Sequence, residues 1–173
     1  DTGVTGFDLV SESGRELETL VDLGFGRCRL VVAAREESGI TAVADLARAR
    51  RVATSFPRLT RRWFDEQGIP IDVVPVSGAA EIAPHIGIAD VVVDLTSTGS
   101  TLRVNGLREI VTLTESTARL VARPGASAGD DPRAKSLREL VTALVSVLRA
   151  RGQRYLMANV PRAALEGIRR VLP

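Results

Sequence analysis

Residues 90–102 read Asp90-Val91-Val92-Val93-Asp94-Leu95-Thr96-Ser97-Thr98-Gly99-Ser100-Thr101-Leu102. Three successive valines with no polar break suit a strand buried on both faces, as in a sheet covered by helices. The run then turns into hydroxyls and a glycine before Leu102 begins an apolar helical pattern. A strand over 90–95 therefore leads into a polar loop at the start of a helix over 98–105.

The same alternation extends outward in both directions. Runs rich in Val, Leu and Ile predict strands over 27–34, 51–55, 71–76, 109–113 and 117–122. Between them, Thr41 is placed to cap a helix over 42–49, Pro57 opens one over 58–67, and a third covers 79–86. Gly68, Gly87 and Gly106 stop the helices where a left-handed residue is needed. Alternating strands and helices mean an α/β fold. Residues 124–132, with two aspartates, Gly125 and Gly129, form a polar connector. After it, Leu137, Leu140, Val141, Leu144, Val147 and Leu148 fall at helical spacing, predicting a long amphipathic helix over 132–151 that Gly152 ends. Residues 155–160 then read as a strand, followed by Pro161 and a helix over 163–171, a βα unit with no partner strand left to pair with.

Composition bounds the function. The chain has 173 residues, 45% hydrophobic and 25% charged, enough for one domain or two small lobes with a real core. No apolar run approaches the roughly 18–20 residues of a membrane span, so no membrane role is expected. Cys28 is the lone cysteine and His85 the lone histidine, which excludes an internal disulfide and Cys/His zinc spacing. The chain opens at Asp1 without a methionine or an apolar leader, so the expectation is a piece of a longer, unsecreted protein in a reduced cytoplasmic setting. Net charge is only +2, and aromatic residues are 3% of the chain, too few for base-stacking platforms. Nucleic acid is not an expected partner; an anionic partner would be a small phosphate compound. The arginines, against the single Lys135, equally suit a bias of genome composition.

At the loop after 90–95, unpaired backbone N–H groups and the positive end of a helix dipole favour an anion. The Ser and Thr hydroxyls add donors, and Gly99 lets the backbone approach closely. A phosphate monoester fits such a place. The same residues also suit an ordinary helix start with Ser97 or Thr98 as the cap.

Glu81, Gly87, Ala89, Val92, Asp94, Ser97, Thr98, Gly99, Thr101 and Leu102 match, at every spacing, the pattern of ATP phosphoribosyltransferase, the first enzyme of histidine biosynthesis. Residues 1–9, Asp-Thr-Gly-Val-Thr-Gly-Phe-Asp-Leu, resemble that family's glycine turn between strand and helix. Residues 21–26 are similar to its next landmark, and 116–121 to a late strand. The resemblance covers essentially the whole chain.

The resemblance implies a two-lobed α/β catalytic core like a type II periplasmic-binding protein. On it, residues 1–27 belong to lobe I, 28–122 to lobe II, 123–153 return to lobe I, and 154–173 open a ferredoxin-like regulatory domain that binds histidine as feedback inhibitor. The lobes would be joined by crossings near residues 25–28 and 121–124. The implied reaction joins ATP to phosphoribosyl pyrophosphate with magnesium present, adenine N1 attacking ribose C1 and pyrophosphate leaving. Ser97, Thr98, Gly99, Ser100 and Thr101 would hold the ribose 5-phosphate, and Asp94 would lie at the ribose hydroxyls or the magnesium. A first βαβ portion of the family, about 60 residues by domain-size reasoning, would precede Asp1 and carry basic residues for pyrophosphate. The chain is thus expected to be truncated at both ends, and homo-oligomers are implied for the complete enzyme.

Other candidates carry two readings each. Gly3, Thr5 and Gly6 form either a second anion cradle on the other lobe or a tight turn. Glu81 either meets substrate hydroxyls or complements a helix dipole. His85 reads as a surface or packing residue rather than a base. Arg58, Arg61 and Arg62 beside Trp63 read as a solvated helix face, and Cys28 as a half-buried structural thiol. Two rival functions share the fold: a non-enzymatic solute- or effector-binding module, and a catalytically inactive or partner-dependent fragment.

Overall fold

A computed structural model describes residues 2–171 of the chain; expectations for Asp1, Leu172 and Pro173 lie outside the described residues. In chain order the elements are β1 (Thr2–Gly6), α1 (Phe7–Ser13), β2 (Glu18–Asp22), β3 (Cys28–Arg35), β4 (Arg51–Thr54), α2 (Pro57–Glu66), β5 (Asp72–Pro75), β6 (Val91–Thr96), α3 (Ser100–Val104), β7 (Leu107–Ser116), β8 (Ala118–Ala122), α4 (Pro132–Ala150) and α5 (Leu165–Arg169). They build two sheets, a five-stranded one in the order β5-β4-β6-β3-β7 and a three-stranded one in the order β1-β8-β2. The smaller sheet is antiparallel throughout, whereas in the larger one β4 runs parallel to β5 and β6, and β3 runs antiparallel to β6 and β7.

Side-chain alternation sorts the larger sheet into two layers. Leu30, Val32 and Ala34 of β3 with Val91 and Val93 of β6 face one side, where Leu46, Phe56, Leu59 and Phe64 cover them. Val31 and Ala33 with Val92 face the other, against Ala80, Leu102 and Leu107. The valine run of β6 is completely buried, which is why it has no polar alternation. Pro75, which lacks a donor, sits at the edge strand β5.

The long helix predicted over 132–151 is α4. Asp131 caps it by accepting from the Arg133 N–H at 3.2 Å, with Pro132 at its first turn. Its Val141, Leu144, Val145 and Leu148 pack on Val21, Leu23 and Leu120 of the smaller sheet. Gly68, Gly106 and Gly152 take the positive φ expected of helix-ending glycines, between 60° and 77°, and Gly87 takes φ 73° at the end of a turn rather than of a helix.

Several expectations are corrected. Residues 79–86 are not a helix: only Ala80–Ile82 makes a short 3-10 turn, because Pro84 has no N–H to return to the Ala80 carbonyl. Residues 42–49 hold a 3-10 segment, Val43–Arg48. The Asp45 carboxylate, rather than Thr41, organises its start by accepting from the Thr41 N–H, the Thr41 hydroxyl and the Ala42 N–H at 3.0–3.1 Å. Where a glycine turn between strand and helix is expected, Thr2–Gly6 is itself strand β1, paired along β8 from Thr2↔Ala122 to Gly6↔Ala118, and the chain passes from it directly into α1 at Phe7. Residues 155–160 form no strand, since a ladder needs a neighbour and none of the described strands pairs there.

The boundary at residue 122 moves as well. β8 pairs with β1 and β2, so residues 118–122 belong to the smaller sheet and the second crossing is at Thr117 rather than at 121–124. The first crossing, between Asp22 and Cys28, lies where it is expected. The two crossings are hydrogen-bonded together through Leu23 N–H to the Ala118 carbonyl and Ala118 N–H to the Phe25 carbonyl, both at 2.9 Å.

Candidate functional site

β6 delivers the candidate residues. On a strand, Val92, Asp94 and Thr96 point to one face, the face carrying Ala80 and Leu102. Asp94 therefore emerges from the buried end of β6 half-exposed, on the side where the chain turns through residues 79–82. That turn is forced: Gly78 has φ 126°, and Ala79, alone among the described non-glycine residues, has a positive φ, 50°. A left-handed alanine costs about 1–2 kcal/mol, and here it buries Ala80 and carries Glu81 towards Asp94. Burial raises the Asp94 carboxyl above its ordinary pKa, its own bond from the Leu95 N–H at 2.8 Å opposes this, and the Glu81 charge adds to the rise.

The loop beyond β6 is shaped from within by Thr96. Its buried hydroxyl accepts from the Gly99 N–H at 2.8 Å. Gly99 takes φ 73° as the residue before α3. A Cβ there would overlap the Glu109 carboxylate and come within 2.9 Å of the Arg103 guanidinium. Glu109 is held by Arg29 at 2.9 Å, and Arg103 donates back to the Thr98 carbonyl at 3.1 Å. Gly99, not Ser97 or Thr98, is the cap residue of α3 and has no side chain of its own to bond there; the Thr98 hydroxyl makes only a long contact, accepting from the Ser100 N–H at 3.4 Å. Thr98 Oγ1 and Ser100 Oγ instead pair with each other at 2.9 Å. Ser97, Thr98, Ser100 and Thr101 are all exposed around the buried Gly99, so the loop presents hydroxyls to solvent on a backbone held from behind.

The structure thus joins Asp94, Glu81 and the 97–101 loop on one face and edge of the larger sheet. Gly3, Thr5 and Gly6 lie apart on β1, with no hydrogen bond to that loop among the described residues. Gly3 and Gly6 have ordinary extended backbone rather than a turn, and a Cβ at Gly6 would overlap the Asp8 carboxylate. Asp8 is buried, accepts from the Ser116 hydroxyl and donates its N–H to the same Oγ at 3.0 Å. Cys28 lies nearby, its thiol pKa raised by burial and then by the Asp8 charge, with the Ser116 bond opposing. His85 is exposed, and its Nε2 donates to the Asn105 carbonyl at 2.7 Å, tying residues 82–88 to the end of α3.

The residues the sequence reading missed are Thr96, Arg103, Glu109 and Ala79. Strand alternation through Val92 and Asp94 points to Thr96. Nothing local signals Ala79 or the approach of Glu109 to Gly99.

With this geometry established, comparison with known proteins decides the family. The family described as "HisG: ATP phosphoribosyltransferase" matches residues 1–146. The chain belongs to the ATP phosphoribosyltransferase family. An ATP phosphoribosyltransferase of Gemmatimonas aurantiaca is 67% identical over 177 residues, covering 100% of this chain and 61% of that protein. The chain therefore spans less than two thirds of that relative's length. Among solved structures, an ATP phosphoribosyl transferase (HisG:HisZ) complex from Thermotoga maritima superposes with a TM-score of 0.72 at 25% identity, over 86% of this chain and 70% of that one. The effector-binding domain of QuiR in complex with shikimate shares the fold, with a TM-score of 0.52 at 13% identity over 90% of this chain and 74% of that one. The core is accordingly an α/β, type II periplasmic-binding-protein-like unit. The ATP phosphoribosyltransferase match includes all of Asp94, Glu81 and the 97–101 loop. No helix among the described residues is long and apolar enough to cross a membrane.

Proposed function

We propose that this chain carries the phosphoribosyl-binding part of an ATP phosphoribosyltransferase, and that the complete protein catalyses the first step of histidine biosynthesis. The observation that supports this best is the β6-loop-α3 unit: a half-buried Asp94 followed by four exposed hydroxyls around the buried, positive-φ Gly99, inside the matched family region.

In this reading the 97–101 loop takes the 5-phosphate of phosphoribosyl pyrophosphate, with hydroxyl and backbone donors meeting its oxygens. Asp94 lies along the ribose ring from that phosphate. N1 of the adenine of ATP attacks ribose C1; the C1–N1 bond forms as the bond from C1 to the pyrophosphate oxygen breaks, and the electron pair leaves with pyrophosphate. Positive charge spreads over C1 and the ring oxygen in the transition state, and the ionised Asp94 stabilises it there. Glu81, close enough to raise the Asp94 pKa, adds negative potential at the same spot and accepts from a ribose hydroxyl. Most of the rate comes from holding N1 and C1 together in a closed cleft.

Magnesium fits this donor set as an ion shared with substrate. No group of three or more candidate ligands occurs among the described residues, and magnesium is commonly held by one or two carboxylates plus phosphate oxygens. Asp94 would supply one such carboxylate when the ion is bound, and the ion would neutralise charge on the departing pyrophosphate. The HisG:HisZ complex from Thermotoga maritima supports an oligomeric or partnered enzyme. The single, half-buried Cys28 suits a reducing cytoplasm.

Calorimetric titration tests the reading, first with ribose 5-phosphate and then with magnesium and phosphoribosyl pyrophosphate. Saturable binding of both, lost in Thr98→Val, is expected. A folded chain that binds neither, alone or extended before Asp1, contradicts it.

A further inference from the structure

Helix α1, which follows the first strand of the smaller sheet, carries two carboxylates four residues apart and therefore on one face. Both bond to the larger lobe. Asp8 in the first turn takes the hydroxyl of Ser116, the last residue of β7. Glu12, near the other end, reaches α2: its Oε1 accepts from the Arg58 N–H and its Oε2 from the Leu59 N–H, each at 2.9 Å.

The second contact completes the hydrogen-bond accounting of α2. Phe56 occupies the cap position and has no side-chain acceptor, and Pro57 has no N–H. The Thr60 N–H goes to the Phe56 carbonyl at 3.0 Å. Arg58 and Leu59 are the remaining first-turn donors, and both are taken by Glu12 from a different lobe. The exchange is reciprocal. Gly14, at φ 61° just past α1, has no Cβ, and the Arg58 guanidinium lies where one would be. A carboxylate thus meets the positive end of α2 and a guanidinium meets the negative end of α1. Because β4 and β6 are parallel, α2 leaves the sheet at the same edge as the 97–101 loop, so this contact spans the lobes at the edge that carries the candidate site.

We propose that Glu12 is a positioning residue that latches the two lobes together by capping α2 from the opposite lobe. When the latch is made, the smaller lobe is held over the edge of the larger sheet that carries Asp94 and the loop; when it breaks, α2 loses both acceptors at once and the lobes separate about the Asp22–Cys28 and Thr117 crossings. The reading of the loop as a phosphate site is not needed for this, so the two stand or fall separately.

The test uses spin labels at Thr142→Cys on α4 and Asp65→Cys on α2, both exposed positions, with Cys28→Ser removing the native thiol. The interlobe distance distribution by pulsed electron resonance is expected to be narrow, and Glu12→Ala to broaden it towards longer distances. Exchange of the Arg58 and Leu59 amides should rise about tenfold or more in the same variant. Glu12→Gln, which keeps an acceptor oxygen for one of the two amides, should restore the distribution in part and serves if the alanine variant folds poorly. Faster amide exchange with an unchanged distance distribution would show a local helix cap and overturn the latch. Unchanged exchange in Glu12→Ala would show that the contact is not made in solution, with the same consequence.

Discussion

Asp22 and Thr117 join the two chain crossings: the Thr117 hydroxyl donates to Asp22 Oδ1 at 2.8 Å. The same oxygen accepts from the Gly24 N–H at 2.9 Å, and Oδ2 pairs with Arg119 at 3.1 Å. Thr117 is the single residue between the two sheets on the return path, and Gly24 lies on the outward path. One carboxylate therefore fixes both linkers at the point where the chain passes between the lobes.

This arrangement sets a pH dependence. The Gly24 bond, then the Thr117 hydroxyl, hold the Asp22 carboxyl below the usual aspartate range against an opposing effect of burial, with Arg119 and Arg27 assisting to a lesser degree. A lowered folded-state pKa contributes stability above the unfolded pKa, and that stability is lost as pH falls through the folded one. Asp22→Asn should lower Tm at pH 7 and show little difference from the parent chain once Asp22 itself is protonated. A thermal melt series from pH 7 to pH 2.5 checks this; a constant gap at every pH contradicts it.

Asp94 has the opposite sign. Its folded pKa is raised, so its ionised form destabilises the fold as pH rises through that value, and there is no penalty below the unfolded pKa. Asp94→Asn should raise Tm near neutrality, with the gap closing in acid. The same substitution should reduce turnover of the complete enzyme more than ribose 5-phosphate affinity. Equal losses in both would place Asp94 at the phosphate instead.

Thr96→Val removes the acceptor of the Gly99 N–H without changing side-chain size much. An unmet buried donor costs about 1–3 kcal/mol, so both stability and ribose 5-phosphate affinity should fall. Denaturant unfolding and calorimetry read the two separately, and parent-like values in both would remove Thr96 from the support of the loop.

Gly99→Ala meets two obstacles, the positive φ and the Glu109 and Arg103 side chains. The backbone part alone costs about 1–2 kcal/mol. Pairing it with Glu109→Ala should recover some of the loss, and a double-mutant cycle measures how much.

Cys28 should be a slow nucleophile, because burial and the Asp8 charge both disfavour its thiolate. Alkylation at pH 8 is expected to be slower than for a free cysteine. Asp8→Asn should speed it.

Much of the larger lobe was legible because each strand's information is local. The valines of β6, the Pro57 start of α2 and the α4 stripe appear in the structure within a few residues of where the periodicity puts them. The helix expected over 79–86 is absent because Pro84 lacks the N–H that an α-helical turn needs there. Strand propensity over 155–160 has no force without a partner, and the glycines of Thr2–Gly6 conceal the pairing of β1 with β8.

The sequence by itself determined the α/β class, the strand-loop-helix unit at 90–105, and the family, since these rest on residue type at fixed spacing along the chain. Only the tertiary structure decided that Glu81 lies near Asp94, that Glu109 and Arg103 close over Gly99, that the return crossing is at Thr117, and that α2 is capped from 46 residues away by Glu12. These contacts join segments distant in sequence, and each exists because folding leaves a buried donor, a charge or an absent side chain that a distant group can satisfy; no local pattern encodes which group that is.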